Sequence, residues 1–207
     1  MKKISGIIGI HEVGRGALAG PVVVAALFLP RICVQAIKRF SIPLRDSKKL
    51  SAKQREAWFS YLQSLKNRKK LAYTLGCAYP KTIDRINISC AANVSAGRSA
   101  SRLIYKERKA HSAKIFLDGG LYIDSAMLVT FRYHKKPRTI IRGDEKINAI
   151  KLASIIAKVL RDRYMTRLHK KFPQYNFHMH KGYGTKNHMH MLARYGPSPV
   201  HRLTFLS

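Results

Sequence analysis

The chain has 207 residues, and 40 Lys and Arg set against 10 Asp and Glu leave a formal charge of +30 with histidine neutral. That length suits one domain of ordinary size, and a hydrophobic content of 46% excludes a disordered basic tail, which lacks the apolar residues for a core. No run of about 18 uncharged apolar residues occurs, which argues against a membrane span. So large a positive charge points to a polyanionic partner, nucleic acid first, because Lys and Arg that neutralise phosphates release condensed counterions. Charge alone leaves an enzyme and a passive binder equally open. An anionic membrane surface is the weaker candidate, since no basic amphipathic helix stands out.

The first residues begin like a signal peptide, but the apolar run continues into His11, Glu12 and Arg15 with no small-residue cleavage pattern. Residues 4–10 therefore read as a first strand. Residues 21–29, dense in β-branched side chains after a Gly-Pro turn signal, read as a second. A helix is expected over 51–67, opened by Ser51 as N-cap and carrying Trp58, Tyr61, Leu62 and Leu65 at helical spacing. A third strand over 71–79 stops at Pro80, and one long helix follows over 82–108. Residues 114–117 form a short buried strand ending at Asp118-Gly119-Gly120. Two further strands are expected over 128–133 and 139–141, separated by the polar loop 134–138, and then the strongest helix over 147–170. The tail is rich in His, Tyr and Gly, with a short helix over 186–195. Cys33, Cys77 and Cys90 are odd in number and lack CxxC pairing, which fits reduced, mostly buried thiols and a cytoplasmic protein. The order describes an α/β sandwich with a mixed sheet.

Acids are scarce, so their positions inform. Glu12 follows the first strand, Asp118 caps the fourth, and Asp144 stands before the longest helix. Strand-end carboxylates converging at one sheet edge resist full ionisation unless a cation neutralises them. Oxygen ligands suit Mg²⁺ or Mn²⁺, and paired ions of this kind serve phosphodiester hydrolysis. The plainer alternative makes each acid a turn former or helix cap.

Several ordered motifs carry a resemblance: Glu12-Val-Gly-Arg-Gly-Ala-Leu-Ala-Gly-Pro21, Asp46-Ser-Lys-Lys-Leu-Ser51, Leu117-Asp-Gly119, Gly143-Asp144, Ala153-Ser-Ile-Ile-Ala-Lys158 with Arg161-Asp162-Arg163, His180-Lys-Gly-Tyr-Gly-Thr185, and Tyr195-Gly-Pro-Ser-Pro with His201-Arg202. Together they resemble ribonuclease HII over almost the whole chain. The resemblance implies an α/β RNase H-like fold, a mixed central sheet flanked by helices, with a catalytic domain over 1–170 and a short C-terminal helical extension over 171–207 that completes the substrate groove. It implies hydrolysis of the RNA strand of RNA–DNA hybrids, and cutting at ribonucleotides embedded in duplex DNA, by metal-activated water. By the same comparison Glu12, Asp118 and Asp144 match three of the family's metal-binding carboxylates, and the ion is Mn²⁺ or Mg²⁺. Gly14, Arg15 and Gly16 match the loop that reads the 2′-hydroxyl, and Tyr183 the tyrosine that stacks on the junction sugar. Lys48 lies in a phosphate-contacting segment, with Lys181 adding charge nearby. The resemblance favours a monomer.

One position departs from the pattern. Where the family has an aspartate beside the glutamate, this chain has His11. Imidazole ligates one ion through one nitrogen, carries no negative charge and cannot bridge two ions. Three readings follow: a metal-shifted nuclease with His11 as ligand; a hybrid-binding protein that does not cut; or compensation by Glu145 or Asp124. Glu145 otherwise reads as an exposed helix-start acid, and Asp162 as a partner for a neighbouring Arg. The 144 − 118 = 26 residues between the two aspartates suggest an extra hairpin whose His and Lys face nucleic acid, or else a solvated basic turn. A zinc site among His178, His180, His188, His190 and His201 is disfavoured, because His188 and His190 fall on different helix faces.

Overall fold

A computed structural model describes residues 6–129, 131 and 133–206. Strand β1 (Gly6–Val13) lies at the centre of a five-stranded sheet with β2 (Val22–Pro30), β3 (Ala72–Ala78), β4 (Lys114–Asp118) and β5 (Arg138–Ile140) in the order β3-β2-β1-β4-β5. The first three strands pair antiparallel, whereas β4 runs parallel to β1 and β5 parallel to β4. The helices are α1 (Val34–Lys38), α2 (Ala52–Asn67), α3 (Pro80–Ile86), α4 (Ile88–Lys106), α5 (Ala126–Val129), α6 (Gly143–Lys146), α7 (Asn148–Lys171), α8 (Phe177–His180) and α9 (Lys186–Tyr195). Among the described residues no helix is long and apolar enough to cross a membrane.

All nine residues of β2 are buried, because both faces of the sheet are covered. Its Val22, Val24, Ala26 and Phe28 meet Ala92, Ala96 and Ala100 of α4, while Val23, Ala25 and Leu27 meet Trp58 of α2 and Leu152 and Ile156 of α7. Alanine, serine and glycine let α4 lie close: Thr74 Oγ1 on β3 donates to the Ser99 carbonyl at 2.6 Å, and Ser99 Oγ returns a bond to the Thr74 carbonyl at 3.1 Å. Helix α2 is closed at its start by a reciprocal Ser51–Gln54 capping box.

Three expectations are corrected. The helix expected over 82–108 is two helices, α3 and α4, broken at Asn87, whose φ of 59° leaves the helical region while its side chain caps Cys90 N–H. The strand expected over 128–133 is replaced by α5 and irregular chain, with Thr130 and Arg132 outside the described residues. Among the described residues no hairpin joins Asp118 to Asp144: β5 pairs parallel to β4, and that direction puts loop 134–137 at the end of the sheet away from Asp118. The basic turn there is exposed and does not face the acids. Cys33 is buried as expected, but Cys90 is exposed. Residue 4 of the first expected strand lies outside the described residues.

Gly9 sets the distance between β1 and α7. A Cβ there would stand 2.2 Å from the Ala149 carbonyl carbon and 2.4 Å from Ile150 N, both backbone atoms that cannot rotate away. Gly9→Ala is expected to lower stability by about 2 kcal/mol or more through overpacking, read as a reduced urea midpoint at unchanged slope.

Candidate active site

The parallel pairing of β1 with β4 brings two strand ends together. Ile10 pairs with Leu117, so His11 and Asp118 emerge side by side. Side chains alternate across a strand: Ile8, Ile10 and Leu117 pack toward α4, and Val13 packs toward α7. His11 Nδ1 reaches Asp118 Oδ2 at 2.9 Å. That approach lacks hydrogen-bond geometry, and Nδ1 is left buried without a directed partner, as is Glu12 Oε2. Ligand atoms of His11, Glu12 and Asp118 all lie within 4.8 Å of one another.

Asp144 stands beside this group in α6. Its backbone N–H at 3.3 Å and that of Gly143 at 2.8 Å donate to Asp118 Oδ1. Burial raises the Glu12 carboxyl above its ordinary range, against the pull of His11 and Arg15. Burial also raises Asp144, and the Asp118 charge adds to the rise, with Asp46 contributing further on. Asp118 goes the other way: burial works to raise it, but His11 and the backbone N–H groups together hold it below its ordinary value. Two neighbouring carboxyls are thus reluctant to ionise beside a third that is held ionised, an arrangement that a cation relieves.

The cleft over these groups has a volume of about 530 Å³ and is lined by His11, Glu12, Gly14, Arg15, Gly16, Ser47, Lys48, Asp118, Lys158 and Tyr183, among others. Arg15 crosses its rim, donating to the Gly120 carbonyl and to Ser89 Oγ, each at 2.9 Å, with Glu12 Oε1 at 3.5 Å. Gly14 has φ of 97°, and a Cβ there would meet Arg161 Nε at 2.2 Å, so glycine is required. Gly16 has open space around it, which leaves its backbone approachable. Asp46 caps the turn that carries Lys48 by accepting from Lys48 N–H at 3.0 Å.

The lining of this cleft leaves out two residues expected from the sequence, Asp144, which stands beside the acids, and Lys181. Its ammonium turns back to Thr166 Oγ1 at 3.1 Å and to the His178 carbonyl, into a neighbouring groove. Lys158 lies on the cleft wall instead, 2.8 Å from Asp162 and 5.9 Å over the Tyr183 ring. It sits on the helix expected over 147–170, but the sequence reading gave it no part in the cleft. Asp162 is an ion-pair residue as expected, though with Lys158 rather than an arginine. Glu145 is engaged by Arg142 and Lys49, which hold its carboxyl below the usual range, and Asp124 accepts from Ala126 N–H. Neither joins the acid group, so compensation by these two acids is not realised.

Against known proteins, residues 8–207 match the family model "Ribonuclease HII". The chain belongs to the ribonuclease HII family. It is 39% identical over 200 residues to a ribonuclease HII of Caldicellulosiruptor bescii, spanning 97% of this chain and 86% of that one. It is 41% identical over 204 residues to one of Bacillus cytotoxicus, spanning 98% and 69%. In fold it resembles the ribonuclease H2 of Pyrococcus horikoshii, with a TM-score of 0.70 at 24% identity over 96% of this chain and 93% of that one. It also resembles a Bst ribonuclease HIII solved in complex with Mn²⁺, with a TM-score of 0.67 at 17% identity over 92% and 70%.

Next to the cleft, this member of the ribonuclease HII family stacks three histidines. His180 lies on His188 with ring centroids 4.3 Å apart, and His188 Nε2 meets His201 Nε2 at 3.0 Å. His190 is exposed on the other side of α9. Burial pushes the His188 imidazole from 6.5 down to about 4, with the Tyr183 carbonyl opposing and the neighbouring histidines adding to the fall. His180 and His201 are lowered too, again chiefly by burial. Above pH 6.5 both folded and unfolded chains keep His188 neutral, and no stability is lost. Below it the unfolded chain takes up the proton first, so stability declines as pH falls from 6.5 toward 4. The His188 share of that decline is on the order of 3 kcal/mol. Urea unfolding at pH 7.5, 6 and 5 should show the loss, with a shallower pH dependence in His188→Asn.

Proposed function

We propose that this member of the family cuts the RNA strand of RNA–DNA hybrids, and duplex DNA at embedded ribonucleotides, in the cleft over the ends of β1 and β4. The observation that carries the reading is the group formed by Glu12, Asp118 and His11, within 4.8 Å of one another, with Glu12 Oε2 and His11 Nδ1 buried and unsatisfied. Unpartnered buried polar atoms are costly, and a divalent ion is the partner their geometry suits. Glu12, Asp118 and Asp144 supply oxygen and His11 a nitrogen; Mn²⁺ accepts such a mixed set better than Mg²⁺. When bound, the ion supplies Lewis-acid stabilisation of the phosphodiester and lowers the pKa of water.

The other residues bind and select. Lys48 and Lys158 meet the sugar–phosphate backbone on the cleft wall. The loop of Gly14, Arg15 and Gly16 brings main chain against the ribose, where the 2′-hydroxyl distinguishes RNA from DNA, and Tyr183 offers a ring face to the sugar. The extension over 171–207 carries Tyr183 and completes this groove beside the domain over 1–170. Position 11, an aspartate in the family pattern, is where the chain departs, and His11 removes one negative charge from the ion site. A second reading, a hybrid binder impaired in cutting, has its own observation: the His11 imidazole stands 2.9 Å from Asp118 Oδ2, where it crowds the approach of an ion to that oxygen.

A duplex carrying one embedded ribonucleotide separates the two. Cutting in Mn²⁺ at least about tenfold faster than in Mg²⁺, with His11→Asp raising the Mg²⁺ rate by about 10–100-fold, is the expected result. Binding without cutting in either ion, restored by His11→Asp, supports the impaired reading instead. Affinity should fall steeply with salt, and Lys48→Ala and Lys158→Ala should each reduce the slope of log K against log salt by about one, measured by fluorescence anisotropy.

A further inference from the structure

Residues 17–20, which follow the glycine-rich loop, are held from both sides. On one side Leu18 N–H and Ala19 N–H donate to the Gly182 carbonyl at 2.8 and 3.2 Å, and Ala17 bridges Tyr183. On the other, Gly20 N–H donates to the Val200 carbonyl at 2.9 Å, Arg202 N–H to the Leu18 carbonyl at 2.8 Å, and Ala19 bridges His201. Both proposed elements of ribose selection are therefore tied to the dipeptide His201-Arg202, which itself lies outside the cleft lining.

Arg202 is fully buried, and its guanidinium makes four bonds, all to main-chain carbonyls: Gly14 at 2.7 Å, Arg15 at 2.7 Å, and Gly20 at 2.9 and 3.0 Å. A planar fork of fixed donors constrains several carbonyls at once, as an ammonium cannot. The carbonyls of Gly14 and Arg15 are thereby turned into the protein, and the orientation of the peptide planes in the loop follows from theirs.

His201 acts on the other side of the cleft through a chain whose proton order is fixed by its ends. Ser198 N–H can only donate, so His201 Nδ1, at 2.9 Å, accepts. The Tyr183 carbonyl can only accept, so His188 Nδ1, at 3.0 Å, donates. In neutral rings the remaining contact at 3.0 Å must then run from His201 Nε2–H to His188 Nε2. All three bonds are satisfied by one tautomer of each ring. His180 has the matching order, accepting Gly182 N–H at Nδ1 and donating from Nε2 to the Tyr175 carbonyl.

We infer that His201 and Arg202 are positioning residues for recognition of the ribose 2′-hydroxyl, Arg202 setting the backbone of the Gly14, Arg15 and Gly16 loop and His201, through His188, setting Tyr183 across the cleft. The inference rests on the reading that this loop and Tyr183 meet the ribose. Neither His201 nor Arg202 touches substrate; they fix the distance between two surfaces that do. A selective contact with one hydroxyl depends on that distance, whereas general phosphate binding by Lys48 and Lys158 does not.

The test couples the protein variant to the 2′-hydroxyl. Two duplexes of one sequence, one all-DNA and one with a single ribonucleotide, are titrated in Ca²⁺ so that neither is cut. Arg202→Lys keeps the buried charge without the fork; His188→Leu removes the relay; His188→Asn keeps a donor for the Tyr183 carbonyl. The expected result is that Arg202→Lys and His188→Leu each lose about tenfold in preference for the ribonucleotide duplex, the equivalent of one or two hydrogen bonds. Affinity for all-DNA is unchanged, and His188→Asn retains most of the preference. Equal losses on both duplexes, with preference intact, overturn the positioning role. A wild-type protein without any preference overturns instead the reading of the loop and Tyr183 as ribose selectors. If either variant at 188 or 202 fails to fold by thermal melting, the other decides the matter alone.

Discussion

Two guanidinium groups, Arg161 and Arg202, are completely buried, and every hydrogen bond they make goes to a main-chain carbonyl. A buried charge is costly unless it is paired or hydrogen-bonded, and the geometry that gives Arg161 three bonds and Arg202 four is the geometry of the cleft wall. Arg161 gathers the carbonyls of Ala19, Pro21 and Lys181; Arg202 gathers those of Gly14, Arg15 and Gly20. Burial pushes both guanidiniums down from their ordinary range, and at Arg202 the neighbouring Arg161 charge adds to the fall. Arginine stays charged at neutral pH even so. Loops that carry no regular secondary structure of their own are thus held from beneath by two cations, and the Tyr183 ring lies 5.2 Å from one of them.

The acid group sits on this basic framework as its electrostatic counterpart. In a chain of charge +30, a few carboxyls at the ends of two parallel strands are surrounded by cations that draw a nucleic-acid backbone toward them. His11 makes the group less negative than three or four carboxylates would be. It also couples to Asp118, so the affinity of the site for an ion and the ionisation of Asp118 are aspects of one balance.

The hydrophobic pattern made the sheet legible: a nine-residue apolar run such as β2 has no place except between two helical layers. Glu12, Asp118 and the loop from Gly14 to Gly16 were legible because their motifs are contiguous. Asn87 was not, since its break rests on one residue of positive φ and a side-chain cap, while the apolar spacing of Ile83, Ile86, Ile88 and Ala91 runs on across it. Lys158 was missed and Lys181 misplaced because the direction of a lysine side chain depends on its local partners, Asp162 for Lys158 and Thr166 with the His178 carbonyl for Lys181. The proton order through His188 and His201 was hidden because the two rings are 13 residues apart in sequence and the ends of the chain are backbone groups.

The bond from Arg202 to the Gly14 carbonyl spans 188 residues of chain. Contacts of such separation form late, because the intervening chain must be ordered or closed into a loop first. During vectorial synthesis the strands and helices between can pack as they emerge, but the glycine loop remains without its clamp until Arg202 has emerged. The wall of the cleft is therefore finished only after both helical layers have packed, and until then the loop from Gly14 to Gly16 has no fixed carbonyl geometry.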